Sequence, residues 1–228
     1  MLVVSPQVLV PESELSLAKL RSIERYARIC YKSEDRMDND YNPRFLGSII
    51  ARGHESVIEH EKVTVMFVVD RGITHEIVRH RIGSYSQEST RYCNYSNNKF
   101  GNEITVIKPY FWKNNKAAYE EWYKACLQAE ASYFALLDMG ASPQEARSVL
   151  PTCLKTEIAV TFNLREWRHF FALRCSVAAH PQMREVAIPL LLLFKERLPI
   201  FFEDIDYDEN FPMEYYAKIL LTDSIFNL

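Results

Sequence analysis

The chain has 228 residues, 48% of them hydrophobic and 25% charged, and a formal net charge of -3. These values are typical of one folded domain with a sizeable core, and they exclude a protein whose overall field attracts nucleic acid or a membrane surface. The 6 glycines lie too far apart for the Rossmann fingerprint or the P-loop, which need closely spaced glycines to bring backbone N–H groups to phosphate. If the protein binds a nucleotide, side chains must therefore hold the phosphates.

Hydrophobic periodicity, caps and turn residues predict the secondary structure. In chain order the predicted elements are a strand (2–10), a helix (11–31), a polar loop (35–44), a helix (45–52), a strand (63–69), a helix (72–81), a polar loop containing Gly83, a strand (104–107), a helix (116–139), a helix opened by a capping box at 142–145, a helix from Asn163 to Arg174, and a helix opened by Pro181 and kinked at Pro189. The fold class that we predict is α+β: a single domain over residues 1–228 with a central, mainly antiparallel sheet flanked by helices.

The cysteines and the apolar stretches indicate the cellular compartment in which the protein is expected to function. The 5 cysteines are odd in number and include no C-x-x-C pair, which favours reduced thiols in a reducing compartment. The apolar N-terminus has no basic region, and the longest apolar stretch, Val186–Phe194, is much shorter than the ~20 residues that span a membrane. We therefore predict a cytoplasmic protein that does not enter a membrane.

Arginine is concentrated in two segments of this acidic chain. Arg79, Arg81 and Arg91 lie in a stretch without lysine, and a second group of arginines lies between Arg147 and Arg184. A guanidinium is a planar fork that matches phosphate and carboxylate, so the segregation favours a bound anion; surface ion pairs with glutamate are the alternative. The polar residues between Arg79 and Arg91 add hydroxyls, an amide and backbone N–H groups, which suit a phosphorylated ligand.

Several segments form a pattern that extends over most of the chain. They are His54-Glu55-Ser56-Val57-Ile58-Glu59-His60; Arg79-His80-Arg81 followed after seven residues by Ser89, then Arg91-Tyr92; Glu145-Ala146-Arg147 with Leu150-Pro151; Asn163-x-Arg165 with residues 167–174; and Ala179-His180-Pro181-Gln182. In this order and composition they resemble the flavin-dependent thymidylate synthase family. The chain departs from the family pattern at Cys30, Glu76 and Ser86, and it is slightly long between Cys175 and Ala179.

The resemblance implies the reaction, the ligands and the assembly. It implies that dUMP is reductively methylated to dTMP, with FAD as cofactor, NADPH as reductant and methylenetetrahydrofolate as carbon donor, in a homotetramer with active sites at subunit interfaces. The dUMP-binding residues it implies are Glu76, Arg79, Gln87, Glu88, Ser89, Thr90, Arg91, Arg147 and Arg174. The FAD-binding residues it implies are His54, Ser56, Glu59, Arg79, His80, Arg81, Gln87, Asn163, Arg165 and His169.

Arg174 is the expected catalytic residue, because the resemblance implies a reaction without a cysteine nucleophile. A guanidinium beside the pyrimidine N3 and its carbonyl oxygens favours deprotonation of N3, and the negative charge then delocalises toward C5. Ser89 is interpreted as a positioning residue, since no base lies beside it in sequence. Cys153 is the alternative nucleophile, but it has no histidine near it in sequence, so we predict a buried structural thiol.

Two further patterns limit the possible sites. Arg165, His169 and Leu173 are spaced by four and share one helical face, which suits a flat ring with a phosphate tail. No metal site is expected, because His54 and His60, or His75 and His80, cannot meet on one face of a helix. The alternative function is a non-catalytic nucleotide- or RNA-binding module that uses the same arginines.

Overall fold

The computed structural model describes residues 1–37, 40–96 and 101–223. Within these residues the strands are β1 (Leu2–Val4), β2 (Gln7–Val10), β3 (Lys62–Asp70), β4 (Gly83–Gln87), β5 (Thr105–Ile107), β6 (Lys155–Asn163) and β7 (Lys218–Leu221). The helices are α1 (Ala18–Tyr31), α2 (Pro43–Ala51), α3 (Arg71–Ile77), α4 (Lys116–Asp138), α5 (Pro143–Ala146), α6 (Leu164–Arg174), α7 (Pro181–Arg197) and α8 (Pro199–Phe202). The predicted α+β class is confirmed.

The strands form a five-stranded sheet and a two-stranded sheet. The order in the larger sheet is β4-β6-β3-β2-β7, and β1 pairs with β5 in the smaller one. The prediction of mainly antiparallel pairing is wrong, because the pairing is mixed: β1 and β5 are parallel, whereas Val106 and Leu154 form an antiparallel bridge. The parallel pair joins segments about a hundred residues apart, and periodicity within each segment carries no information on the direction of its partner.

The chain divides into two compact units. Unit 1 comprises Met1–Gln7, Phe67–Arg79 and Ser86–Ile158; unit 2 comprises Val8–Met66, His80–Tyr85 and Ala159–Leu228. In unit 1 a hydrophobic cluster joins α4 to neighbouring strands, with Cys126 and Tyr133 of the helix packed among Ile104, Val106 and Leu154. The single domain over residues 1–228 remains a prediction.

Unit 2 is built around an aromatic core. Trp167 on α6 stacks on Phe171 with ring centroids 5.5 Å apart and packs against Phe162 of β6 at 4.8 Å. Phe194 of α7 contacts Phe171 at 5.1 Å, and all four of these side chains are at most 1% exposed. The indole Nε1 of Trp167 also donates a hydrogen bond to the carbonyl oxygen of Val63 at 3.0 Å. This core fixes the position of α6.

Two predicted elements near the N-terminus have different bounds in the structure. The predicted strand 2–10 is divided into β1 and β2, with Pro6 at the break because proline has no N–H to donate to a ladder. The predicted helix 11–31 begins with a 3-10 turn, Glu12–Leu15, and its α-helical part starts only at Ala18. Within the predicted loop 35–44, residues 38 and 39 lie outside the described residues.

Two helices also end or begin elsewhere than predicted. Helix α2 begins at Pro43 rather than at residue 45, because Asn42 caps it by accepting a hydrogen bond from the N–H of Phe45 at 3.0 Å. Helix α3 ends at Ile77 rather than at residue 81, and the N–H of Arg79 bonds back to the carbonyl oxygen of Glu76 at 3.2 Å, which tightens the last turn. The capping box at 142–145 is confirmed.

The segment predicted as a polar loop after Arg81 forms strand β4, at one edge of the larger sheet. Its residues, Gly83–Gln87, have no apolar alternation, and the backbone ladder rather than a hydrophobic face accounts for the strand. Strand β6 was not predicted, although Thr156, Ile158, Val160 and Phe162 alternate and are all buried. In the described part of the chain no helix is both long enough and apolar enough to cross a membrane.

Candidate active site

Helix α6 in unit 2 presents an exposed face with a cation, an imidazole and an apolar side chain. Asn163 ends β6 and caps α6 by accepting a hydrogen bond from the N–H of Glu166 at 2.8 Å, so that the helix begins directly at the strand end. Arg165, His169 and Leu173 are all exposed. The predicted common face is confirmed, and the buried side of the same helix consists of Leu164, Trp167, Phe170 and Phe171.

The carboxylates of the 3-10 turn Glu55–His60 meet the arginines of α6. Glu59 Oε1 accepts a hydrogen bond from Arg165 Nη1 at 2.6 Å, and Glu55 Oε1 accepts one from Arg168 Nε at 2.9 Å. The second oxygen of Glu55 lies 3.5 Å from Arg165 Nε. Two segments of the sequence pattern, separated by about a hundred residues, are therefore in contact in unit 2.

The other candidates on this part of unit 2 lie at the surface. His54 is exposed, and its Nδ1 is 2.7 Å from the hydroxyl of Tyr31. Ser56 and Arg81 are exposed as well. Exposure leaves these side chains accessible to a ligand.

A hydrogen-bonded chain joins the buried Glu166 and His80 to the half-buried Arg174. His80 Nδ1 is 3.0 Å from Glu166 Oε1, and Arg174 Nε donates to His80 Nε2 at 3.1 Å. His80 is 4% exposed and Glu166 is 7% exposed. The imidazole predicted to contact FAD is thus enclosed, and both of its ring nitrogens have partners within unit 2.

The surroundings of His80 favour its neutral form. Burial, the Arg174 guanidinium and the nearby His169 together lower the pKa of His80 from 6.5 to about 4. Burial raises the pKa of Glu166, against a smaller opposing effect of His169. An isolated His80–Glu166 pair would favour the imidazolium, but desolvation and the adjacent cation act against that charge.

His80, Glu166 and His169 each offer one ligand atom, and these atoms all lie within 4.8 Å of one another. This grouping was not found from the sequence, which paired histidines only by their spacing. A metal ion on His80 Nε2 would have to displace the Arg174 guanidinium, itself a cation, from that nitrogen. The absence of a resident metal remains a prediction.

In unit 1, Gln87 and Glu88 are held by the fold at the end of β4. Gln87 Nε2 donates to the hydroxyls of Thr74 at 3.0 Å and Thr156 at 3.3 Å. Glu88 Oε1 accepts a hydrogen bond from the Tyr95 hydroxyl at 3.2 Å, and its other oxygen is 3.6 Å from Lys155 Nζ. These contacts determine where the following residues leave the strand.

Residues 89–91 follow β4 in the chain and contact the second arginine segment at Arg147. Arg147 is exposed and its Nη1 donates to the hydroxyl of the buried Thr90 at 3.2 Å. The Ser89 hydroxyl accepts a hydrogen bond from the N–H of Arg91 at 3.3 Å, and the side chain of Arg91 is exposed. Unit 1 therefore brings two further segments of the sequence pattern into contact.

The remaining predicted dUMP residues divide between the two units. Glu76 is half-buried near the end of α3, and Arg79 is exposed just beyond it, both in unit 1. Arg174 is half-buried at the end of α6 in unit 2.

Comparisons with known proteins show what this chain is similar to. The model of the family described as thymidylate synthase complementing protein matches residues 15–200. A flavin-dependent thymidylate synthase of Geobacter sulfurreducens is 35% identical over 201 residues, which are 85% of this chain and 82% of that protein. One of Pyrococcus furiosus is 37% identical over 163 residues, or 70% of this chain and 65% of the relative.

The chain belongs to the flavin-dependent thymidylate synthase family. Among solved structures, a UMP/dUMP methylase from Streptomyces cacaoi bound with 5-Br dUMP has a similar fold, with a TM-score of 0.71. It is 21% identical in sequence, and the match covers 89% of this chain and 96% of that one. At this identity the likeness concerns the fold.

Cys153, the alternative nucleophile in this member of the family, lies next to a second thiol. Its Sγ is 3.4 Å from Sγ of Cys126. This contact lowers the pKa of Cys153, and burial opposes that shift. The same contact raises the pKa of Cys126, and burial raises it further. Cys153 is half-buried rather than fully buried as predicted, because its segment lies at the edge of the cluster that encloses Cys126.

Two polar residues at the candidate site were missed in the sequence. Glu166 is the third residue of α6 and was not assigned a role, although a carboxylate three residues after Asn163 is a recognisable feature of a helix start. Arg71 opens α3, and its Nη1 donates to the carbonyl oxygen of Glu88 at 3.3 Å and lies 3.4 Å from the Thr156 hydroxyl. Nothing in the local pattern of Arg71 indicates these distant partners.

Proposed function

We propose that the protein catalyses the reductive methylation of dUMP to dTMP, with FAD as cofactor, methylenetetrahydrofolate as carbon donor and NADPH as reductant, and without a cysteine nucleophile. Membership of the family supports the reaction, and the fold shared with a UMP/dUMP methylase supports the substrate. Unlike a non-catalytic nucleotide- or RNA-binding module, such an enzyme needs a bound redox cofactor and a residue that activates the pyrimidine.

The observation that carries the proposal is the pairing of sequence segments that lie far apart in the chain. Glu55 and Glu59 meet Arg168 and Arg165, and Thr90 meets Arg147. The glutamate contacts of Arg165 and Arg168 are ion pairs, the alternative to a bound anion, whereas Arg147 contacts a neutral hydroxyl and stays exposed. Within each unit, these contacts therefore support a surface built from the paired segments.

Arg147 and the residues from Gln87 to Arg91 are proposed to bind dUMP, together with Glu76, Arg79 and Arg174. The exposed guanidiniums of Arg79, Arg91 and Arg147 suit the phosphate, because each can donate two parallel hydrogen bonds to its oxygens. The Thr90 hydroxyl accepts a hydrogen bond from Arg147 and so helps to orient its guanidinium. Ser89 acts as a positioning residue.

Arg174 is proposed to activate the uracil ring. A guanidinium beside N3 and its neighbouring carbonyl oxygens stabilises the N3 anion electrostatically, and the charge that delocalises to C5 makes that carbon nucleophilic. Arginine suits this role because it stays protonated at all relevant pH values. The proton on N3 leaves to solvent.

The exposed residues of unit 2 fit a flavin dinucleotide. Arg165 and His169 lie with Leu173 on one face of α6, where a guanidinium, an imidazole and an apolar side chain match a diphosphate and a flat ring. A flavin bound here supplies the hydride equivalent that reduces the transferred carbon. Of the proposed FAD contacts, Asn163 uses its side-chain oxygen to cap α6, and His80 has both ring nitrogens engaged, so His80 is proposed to contribute backbone atoms. His54, Ser56, Glu59, Arg79, Arg81 and Gln87 complete the proposed set.

We further propose that the chain assembles as a homotetramer in the cytoplasm, with sites completed by neighbouring subunits. The separation of its arginines into distant segments supports shared sites, and the odd number of cysteines, 5, without a C-x-x-C pair supports a reducing compartment. Light scattering on the purified protein tests the assembly: a mass near four chains is expected, and a monomer with full turnover would contradict shared sites.

The reaction is tested by incubating the purified chain with FAD, dUMP, methylenetetrahydrofolate and NADPH and measuring dTMP by chromatography. The wild type is expected to form dTMP. Arg174→Ala is expected to keep its flavin and lose most of its turnover, whereas Arg21→Ala, on the exposed surface of α1, is the matched control and keeps both. A wild-type chain that binds FAD but forms no dTMP would refute the proposed reaction.

A further inference from the structure

We propose that Glu166 and His80 form a positioning chain that fixes the orientation of the Arg174 guanidinium for its action on the pyrimidine. The inference rests on the proposed function, since it explains how one of that site's side chains is held. Neither Glu166 nor the imidazole of His80 needs to touch dUMP for this role.

The protonation pattern of the chain follows from its two distances. A guanidinium has donors and no acceptor, so the 3.1 Å contact requires that His80 Nε2 accept from Arg174 Nε. A neutral imidazole then carries its single proton on Nδ1, where it donates to Glu166 Oε1 at 3.0 Å. The geometry therefore selects one tautomer of His80.

Packing holds the imidazole in one orientation. The His80 ring lies with its centroid 5.1 Å from that of Phe170 and 5.9 Å from that of Phe162, both of which are buried. The Tyr85 hydroxyl donates to the carbonyl oxygen of His80, which fixes the backbone as well. Glu166 is held at its own backbone by the cap of Asn163.

A fixed His80 determines the plane of the guanidinium. The Nε–H bond of arginine lies in that plane, so a rigid acceptor for Nε limits rotation of the whole group. An arginine at a helix end otherwise has four rotatable bonds and loses entropy when it must meet a substrate. Preorganisation of this kind is what a group that stabilises a developing charge requires.

A purely structural role is the competing interpretation of the same contacts. Buried polar groups are usually hydrogen-bonded to one another, whether or not they serve a site. The two interpretations differ in one respect: a positioning chain must act through Arg174, whereas a structural cluster affects folding independently of it. Coupling between the residues therefore decides between them.

The test is a double-mutant cycle in the full-length holoenzyme, with His80→Phe, Arg174→Ala and the double variant. His80→Phe is chosen because phenylalanine fills the aromatic surroundings while removing both hydrogen bonds. We expect His80→Phe to lower kcat for dTMP formation about tenfold. A guanidinium that His80 no longer holds would lose roughly one of its own hydrogen bonds to the transition state. In the Arg174→Ala background the same change is expected to lower kcat less than twofold, because residues that act through each other are not additive.

A second pair of variants keeps the test valid if His80→Phe does not fold. Glu166→Gln retains an oxygen that accepts from His80 Nδ1, whereas Glu166→Leu removes the acceptor at similar size. Glu166→Leu is expected to lower kcat several-fold more than Glu166→Gln, with flavin content unchanged in both. Equal effects of the two substitutions, or full multiplication of the His80 and Arg174 effects, would overturn the positioning chain.

The tautomer gives a readout that does not depend on activity. The protein has 6 histidines, and nitrogen-15 NMR of histidine-labelled protein can assign the His80 signal by its loss in His80→Phe. At pH 6 we expect His80 to be protonated at Nδ1 only. A ring protonated at Nε2 would overturn the inference even if turnover is normal. The proposed function fails separately, by the absence of dTMP from the wild type.

Discussion

Position 83 leaves no space for a side chain, so glycine is required there. Replacing Gly83 tests how tightly unit 2 is packed beside β4. A Cβ added at Gly83 would lie 2.3 Å from both Cδ1 and Cε1 of Phe162 and 3.1 Å from the carbonyl oxygen of Thr161. Ordinary carbon–carbon contacts are ~3.5–4.0 Å, so the Phe162 ring would have to move by more than about 1 Å. That ring is 1% exposed and lies 4.8 Å from the ring of Trp167, so it has no room.

We expect Gly83→Ala to lower the free energy of unfolding by about 1–2 kcal/mol. Overpacking of a well-packed core costs ~1–3 kcal/mol, and the gain of ~0.4–1 kcal/mol from a less flexible unfolded chain offsets only part of it. Gly47→Ala is the matched control, since a Cβ at Gly47, inside α2, meets nothing within 4 Å. This control is expected to gain ~0.5–1 kcal/mol.

The assay is urea unfolding at equilibrium, followed by tryptophan fluorescence and repeated at a second protein concentration. The Gly83→Ala midpoint is expected to fall and the Gly47→Ala midpoint to rise, with similar slopes. A Gly83→Ala protein as stable as the wild type would refute the reasoning, because it would mean that the Phe162 ring moves aside without cost.

Two further predictions concern His80 and Cys153. The pKa of His80 is lowered from 6.5 to about 4 in the folded state, so the unfolded chain binds more protons than the folded chain between these two pH values. The free energy of unfolding therefore falls as the pH falls from 6.5 to 4, and His80 accounts for ~3 kcal/mol of this loss. Urea titrations against pH should show this loss in the wild type and much less of it in His80→Phe; equal slopes would contradict it. Cys153→Ala is expected to keep dTMP formation within a few-fold of the wild type, because the Cys153 thiol contacts the Cys126 thiol and the Trp122 indole, and neither of these groups is a general base. Complete loss of turnover with the flavin still bound would instead support a cysteine nucleophile.

The sequence predicts α6 and its exposed face well, because several local signals agree there. Asn163 caps the helix, apolar residues repeat on its buried side, and the spacing of Arg165 and His169 puts both on the exposed side. Each of these signals lies within about ten residues of the chain. Local periodicity is sufficient for such an element.

The sequence does not predict β4 or the buried position of His80. The Gly83–Gln87 strand depends on pairing with β6, which is about seventy residues away in the chain. His80 stands between two exposed arginines, so the local pattern favours a surface histidine, whereas contacts with Glu166 and Phe170 from α6 enclose it. Partners of this kind are set by tertiary contacts, to which a short sequence window is insensitive.

The most direct test of the central claim is the visible absorption spectrum of the purified protein with added FAD, followed through one anaerobic turnover. We expect a bound flavin spectrum that bleaches on addition of NADPH and returns when dUMP and methylenetetrahydrofolate are added, with one dTMP formed per flavin reoxidised. A protein that stays colourless and binds no FAD, or a flavin that bleaches and returns without dTMP, would contradict the assignment.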